Sequence, residues 1–156
     1  MADDISEIAE LDFAGVTPEE FARIVKGLSN KQFAELAEDG TLRGRILQEV
    51  FGRMERQFKP EAAASVTALI RWKITGSGGN EDVVYETDIA DGTCVVRAGQ
   101  SESKPRVTLI LADAEFLKLV SGNVGPVALF MMRKVRVVGD VALAAGLTRY
   151  FDIPKV

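Results

Sequence analysis

The spacing of apolar residues changes once in the first half of the chain, close to residue 64. Up to residue 58, apolar side chains recur every three or four positions, which is the period of an α-helix. From Val66 to Ile74 they alternate, which is the period of a strand with one buried face. Helical spacing returns after Asp113. A block of strands flanked by helices predicts an α+β fold: one five-stranded, mainly antiparallel sheet with helices covering one face.

Three helices are predicted before the strands. Residues 17–20 form a helix start, with Thr as the N-cap, Pro at the first helical position and Glu three residues after the cap. Residues 29–32 repeat the capping pattern, and Gly40 is expected to end this second helix. The third helix is predicted over residues 42–58.

Asp91 and Gly92 form a two-residue hairpin turn between predicted strands at 82–90 and 93–98. The turn fixes the register, which places Cys94 on the buried face as a small hydrophobe rather than a reactive thiol. It also predicts an ion pair between two opposing residues, Glu86 and Arg97. The predicted pairs are Ala90 with Thr93, Ile89 with Cys94, Thr87 with Val96, and Glu86 with Arg97.

Two helices connect the fourth and fifth strands. Asp113 is expected to cap the first of them. Because a connection that contains helices is a crossover, a parallel pairing of these two strands is expected. The predicted elements are strands over 106–111 and 135–138, helices over 113–122 and 126–132, and a last helix over 141–147.

Composition removes whole classes of chemistry. The chain has 156 residues, no histidine and one cysteine. Without histidine, acid–base catalysis, a metal site and a cofactor are not expected. The net charge is −4 and the bases form no dense stripe, which argues against nucleic-acid binding. The N-terminus lacks the pattern of a secretory signal, and a single cysteine fits a reducing compartment, so a cytoplasmic protein is expected.

Two motifs that resemble sites have plain structural interpretations. Asp113 and Glu115 lie at a helix start, where carboxylates interact with free backbone N–H groups. Residues 76–80 are rich in glycine, but they join two strands and lack the lysine of a phosphate-binding loop. Neither motif indicates catalysis.

Four cations are predicted on the sheet face opposite the helices: Arg71, Lys73, Lys134 and Arg136. We interpret them as a solvated face, since scattered surface charges of this kind are common. The functional alternative is a weak, transient contact with anionic lipid headgroups at a membrane surface.

The last third of the chain has more apolar side chains than three short helices need for one packed face. Residues 130–132 are apolar at consecutive positions, so this helix is apolar around much of its circumference. Methionine is common on adaptable apolar surfaces. Periodicity alone does not distinguish a packed core from the wall of a cavity.

Short motifs follow one another in a defined order between Thr67 and Leu147. The first are Trp72–Gly76 with its glycine-rich turn, Tyr85–Asp88, Asp91-Gly92, Val107–Leu109, Asp113 with Phe116, and Gly122. The most specific are Pro126-x-Ala128-x-Phe130-Met131, Lys134-Val135-Arg136-Val137-x-Gly139-Asp140 and Leu143-Ala144. In order and spacing this segment resembles the sterol carrier protein 2 (SCP2) sterol-binding domain family.

The resemblance implies an apolar tunnel between the sheet and the helices. Such domains bind sterols, fatty acids, fatty acyl-CoAs or phospholipids without catalysis, so non-enzymatic lipid binding or transfer is expected. The resemblance divides the chain into an acidic helical extension, residues 1–40, and a lipid-binding domain, residues 41–156. The lipid-contacting residues expected are Trp72, Phe116, Leu119, Val120, Val127, Phe130, Met131, Leu143, Leu147 and Phe151.

Two positions depart from the family pattern. Arg133 stands where the family usually has glycine, and Arg106 stands where the family tends to have an acid. Arg133 is therefore expected to contact a ligand headgroup or to gate the tunnel.

An alternative interpretation is an interaction module. In it the tunnel is collapsed or filled by side chains, and residues 1–40 recruit a partner protein or form a homodimer. Leu69, on the sheet face with the cations, would belong to such a contact. An enzyme is not expected, because the chain has no histidine, metal-ligand set or nucleophile motif.

Overall fold

The computed structural model describes residues 15–76 and 80–153. The first fourteen residues of the predicted extension and residues 77–79 of the predicted glycine-rich turn lie outside this part. The helices are α1 (Pro18–Gly27), α2 (Asn30–Glu38), α3 (Gly40–Gln57), α4 (Asp113–Val120), α5 (Pro126–Met131) and α6 (Val141–Gly146), followed by a 3-10 turn (Leu147–Tyr150). The strands are β1 (Ala68–Thr75), β2 (Val83–Ala90), β3 (Thr93–Ala98), β4 (Val107–Ala112) and β5 (Val135–Gly139).

Local capping sets the starts of the first three helices. Both predicted capping boxes are confirmed, with Thr17 capping α1 and Ser29 capping α2. The prediction that Gly40 ends α2 was wrong, because Gly40 is the first residue of α3. Asp39 accepts a hydrogen bond from the backbone N–H of Leu42 at 3.1 Å, and this cap starts the next helix immediately.

The five strands form one sheet in the order β3-β2-β1-β4-β5. The central pair, β1 and β4, is parallel, and the other three pairs are antiparallel. The expected parallel pairing of the fourth and fifth strands was therefore wrong. The two helices between them lead the chain back to the end of the sheet that it left, so Val135 at the start of β5 pairs with Leu111 near the end of β4.

The β2–β3 hairpin has the predicted register. Asp91 and Gly92 have φ values of +52° and +71°, as the favoured two-residue turn requires. Cys94 lies opposite Ile89 and packs, partly buried, against the core. Burial raises the pKa of the Cys94 thiol to about 12, with smaller contributions from the carboxylates of Glu55 and Asp88. A thiol with this pKa is not a reactive nucleophile.

An aromatic cluster fills the space between α3, the sheet and α4. Phe51 of α3 stacks on Tyr85 with ring centroids 4.0 Å apart and on Phe116 at 4.9 Å. Trp72 of β1 contacts Phe51 and Phe116 edge-on. The Trp72 indole N–H donates to the hydroxyl of Thr87 at 3.0 Å, so the one polar atom of its ring is satisfied inside the core.

A buried ion pair joins α3 to α4. The Nε of Arg43 donates to both carboxylate oxygens of Asp113, at 2.9 and 2.8 Å. Arg43 and Asp113 are 3% and 2% exposed. The prediction that Asp113 caps its helix was wrong: the N-cap is Ala112, with no side-chain cap. A buried guanidinium needs a counter-ion, and Asp113 serves that purpose instead.

The predicted pair between Glu86 and Arg97 is also wrong, although the two residues do face each other across the strands. Glu86 is only 1% exposed and binds Arg71 of β1 at 2.7 Å, and Arg97 binds Asp88. Burial alone would raise the pKa of Glu86, but hydrogen bonds from Ser101 and Arg71 outweigh it and hold that pKa below its ordinary value. The charged pair is therefore a stabilising feature of this sheet face.

The lowered pKa of Glu86 predicts a pH dependence of stability. A carboxyl whose pKa is lower in the folded state stabilises the fold above its ordinary pKa, near 4.5, and loses this effect as the pH falls through its folded value. We expect Glu86→Gln to lower the free energy of unfolding at neutral pH, with a gap to the wild type that narrows as the pH falls below 4.5. Urea unfolding of both proteins from neutral to acidic pH measures this difference in the free energy of unfolding.

Asp88→Asn is the matched control for Glu86→Gln. The pair of Asp88 and Arg97 is about half exposed, so its removal should change stability by less than about 1 kcal/mol at any pH. A constant gap between Glu86→Gln and the wild type over the whole range would contradict the assignment.

The buried pair of Arg43 and Asp113 predicts strong coupling between the two positions. We expect Asp113→Ala to destabilise the fold by about 3–5 kcal/mol, because it leaves a buried cation without its partner. The double variant Arg43→Met with Asp113→Leu should recover most of this loss. Chemical unfolding of Arg43→Met, Asp113→Leu and the double variant measures the coupling, and additive losses would contradict it.

Candidate functional site

Two apolar cavities lie between the sheet and the helices. We name them after the helix that closes each one. The α1 cavity has a volume of about 50 Å³ and the α5 cavity about 210 Å³. Both are enclosed mainly by hydrocarbon side chains, so each excludes water more readily than it binds it.

The α1 cavity is bounded by α1, α3, β1, α4 and the C-terminal segment, residues 147–153. Pro18 and Phe21 close it on one side, and Trp72 forms part of the opposite wall. Its polar rim is on α3, where Glu49 binds Arg53 at 3.1 Å. Arg53 also donates to the carbonyl oxygen of Val16 and lies over the ring of Phe21. These contacts hold the start of α1 across the cavity.

The α5 cavity is lined entirely by Leu, Val, Phe, Ala and Pro side chains. Its floor is Leu109 of β4 with Val135 and Val137 of β5, and its roof is formed by α5 and α6. No wall residue carries a polar side chain. Such a lining can hold a hydrocarbon group, but it supplies no acid, base or nucleophile.

Leu119 of α4 and Leu147 of the 3-10 turn line both cavities. These two side chains therefore form part of the partition between the two volumes. Leu147 belongs to the C-terminal segment, which is attached to the end of α3 by main-chain hydrogen bonds from Lys59 to Tyr150 and from Asp152 to Gln57. A shift of this segment would change the partition.

A basic turn follows α5. Arg133 has a φ of +60°, a left-handed conformation that a residue with a side chain adopts only at a cost. This explains in physical terms why glycine suits the position. Arg133, Lys134 and Arg136 line an open groove together with Phe130 and Met131, beside the α5 cavity. Arg106, the other departure, binds Asp140 at 2.9 Å.

The structure brings most of the expected lipid-contacting residues to the two cavities. Trp72, Val120 and Phe151 line the α1 cavity, Val127 and Phe130 line the α5 cavity, and Leu119 and Leu147 line both. The other expected residues line neither cavity: Phe116 lies in the aromatic cluster, Leu143 is buried, and Met131 and Arg133 are exposed on the open groove.

Several residues that line the α1 cavity were not among the expected lipid-contacting residues. Ile46, Val50 and Met54 form a stripe of α3 along the α1 cavity, and Phe21 of α1 faces them. A spacing of four residues places the first three on one helix face. The sequence shows this stripe, but an identical stripe on a solid core would look the same.

Comparison with curated proteins finds relatives that are much longer than this chain. The chain is 25% identical over 111 residues to the peroxisomal multifunctional enzyme type 2 of Mus musculus. The aligned region covers 71% of this chain and 15% of that protein. It is 23% identical over 111 residues to the sterol carrier protein 2 of Homo sapiens, covering 71% of this chain and 20% of that protein. The chain thus spans a fifth or less of these two relatives.

A solved structure shares the fold. The palmitated SCP2L2 of Aedes aegypti superposes with a TM-score of 0.50 at 21% identity, covering 65% of this chain and 86% of that one. The model of the SCP-2 sterol transfer family matches residues 47–152, which include the sheet, α4, α5, α6 and most of α3. The chain belongs to the SCP-2 sterol transfer family.

Proposed function

We propose that the protein binds and transfers a lipid, such as a fatty acid, fatty acyl-CoA, phospholipid or sterol, by enclosing its apolar part between the sheet and the helices. The observation that carries the proposal is the α5 cavity, whose lining is entirely apolar. Burial of hydrocarbon is favourable by about 0.8 kcal/mol per methylene, which is sufficient for binding without polar contacts. The protein acts without catalysis in this proposal.

Ligand binding is proposed to join the two cavities. Small-molecule sites usually have volumes of roughly 300–1,000 Å³, and the α1 and α5 cavities, at about 50 and 210 Å³, are each smaller. Displacement of Leu119 and Leu147 would open the partition. The C-terminal segment is the mobile wall in this proposal, because Leu147 moves with it.

Arg133 is proposed to contact the anionic headgroup of the ligand. The open groove that Arg133 lines shares Phe130, Val135 and Val137 with the α5 cavity, so a chain in the cavity and a headgroup in the groove lie next to each other. A guanidinium is well suited to bind a carboxylate or a phosphate. The left-handed backbone of Arg133 follows α5 and places this side chain at the end of that helix.

The rival interpretation, an interaction module with a filled tunnel, has less support. It requires side chains to occupy the space between sheet and helices, and two cavities remain there. The lining of the α5 cavity also lacks the polar groups that a catalytic site needs.

Binding predicts a thermal shift. With palmitate at about a hundredfold excess over its dissociation constant, the folded state gains about 2.7 kcal/mol. For a domain of this size that corresponds to a Tm increase of roughly 5–10 °C. The measurement is differential scanning fluorimetry on delipidated protein with palmitate, palmitoyl-CoA and cholesterol. No shift with any of them, together with no lipid retained in native mass spectrometry, would refute the proposal.

The α5 cavity itself is tested by filling it. Val127 lines the cavity and is about half exposed, so Val127→Trp can place a large ring in the cavity without disturbing the core. We expect this variant to lose most of the palmitate-induced shift in Tm while its own Tm stays near the wild-type value. Val95→Trp, an exposed valine of β3 outside the cavity walls, is the matched control and should keep the shift.

A further inference from the structure

The exposed large apolar side chains are concentrated around α5. Of the seven in the described part of the chain, five are Val127, Phe130, Met131, Met132 and Val141. Val127, Phe130 and Met131 lie on one face of α5, since they are three and four residues apart. Phe130 is 47% exposed and Met131 is 75% exposed, whereas Leu129 of the same helix is buried. A cluster of this kind indicates an interaction site.

Cations border this apolar surface on one side. Arg133, Lys134 and Arg136 are exposed, and the described residues provide no ion pair for any of the three. The chain contains no acidic residue between Glu115 and Asp140. Asp140 itself is bound to Arg106. A locally positive surface on a chain of net charge −4 selects an anionic partner.

We propose that this surface docks the protein onto an anionic lipid bilayer. It consists of the exposed apolar side chains of α5 and the cations Arg133, Lys134 and Arg136, which follow α5 in the turn and in β5. Phe130, Met131 and Met132 enter the interface between headgroups and acyl chains, and the cations contact the lipid phosphates. Val127, Phe130 and Val141 also line the α5 cavity, so docking places the cavity opening against the membrane. This inference rests on the proposed function, because it gives the cargo lipid a route that avoids water.

The charge on the surface argues against a second copy of the chain as its occupant. A two-fold symmetric contact would place the same patch on both sides. Arg133, Lys134 and Arg136 would then face the cations of the other copy, with no acid between Glu115 and Asp140 to separate them. An anionic bilayer instead neutralises all three cations at once.

Sedimentation with vesicles tests the docking. The full chain should bind phosphatidylcholine vesicles that contain about a third phosphatidylserine, bind pure phosphatidylcholine vesicles weakly, and dissociate as salt is raised. Each cation at the surface raises the binding constant by a factor of about five, so Lys134→Glu with Arg136→Glu should weaken binding by about 25-fold or more.

The matched control is Lys31→Glu with Arg97→Glu, which changes the net charge by the same amount away from the proposed surface. Lys31 is in α2, and Arg97 is in β3, the edge strand at the other side of the sheet from β5. This control should keep its binding within about twofold.

A second variant reports on insertion. The only tryptophan, Trp72, is buried, so Met131→Trp adds an exposed ring whose emission should shift to the blue on vesicles with phosphatidylserine. Equal loss of binding in both charge variants, no emission shift, or a dimer in solution that Met131→Glu dissociates would each overturn the inference. If Lys134→Glu with Arg136→Glu keeps the palmitate-induced shift in Tm, failure of docking leaves the proposed function intact.

Discussion

The buried ion pair between Arg43 and Asp113 holds together parts of the fold that surround the cavities. Arg43 also donates to the carbonyl oxygens of Glu81 at 2.8 Å and of Ile74 at 3.0 Å. One side chain therefore ties the start of α3 to the end of β1, to the segment before β2 and to the start of α4. Burial raises the pKa of the Asp113 carboxyl, and the Arg43 guanidinium opposes that rise, so the geometry of the pair must be kept for both charges to remain.

From this anchored end, the helix layer extends over the sheet and becomes less tightly packed. Phe51, Trp72 and Phe116 pack against one another between α3, β1 and α4. Farther along, the short helices α5 and α6 cover β5 without filling the volume beneath them, and the α5 cavity remains. α1, which precedes the segment matched by the family model, closes the second cavity with Pro18 and Phe21. α1 thus forms part of a cavity wall rather than only its surroundings.

Much of the fold follows from local sequence patterns. The capping boxes at Thr17 and Ser29 and the hairpin register set by Asp91 and Gly92 depend on residues close in the chain, and all were predictable. The ion-pair partners were not, because Glu86 has candidate cations on two neighbouring strands and burial selects Arg71. The cavities were not predictable from periodicity either, since a stripe such as that of Ile46 looks the same on a filled core. The expectation of an apolar space between the sheet and the helices came from the family resemblance and not from periodicity.

The parallel pairing of β1 with β4 at the centre of the sheet has a consequence for the order of folding. β1, β2 and β3 are joined by neighbouring antiparallel contacts, whereas β4 pairs with β1 across the whole β2–β3 hairpin. Contacts between distant residues carry a larger loop-closure cost and form later. All of α4, α5, β5 and α6 follow β4 in the chain, so we expect the walls of the α5 cavity to assemble last. In a chain made from its N-terminus, the α5 cavity is then completed only after the rest of the domain has its shape.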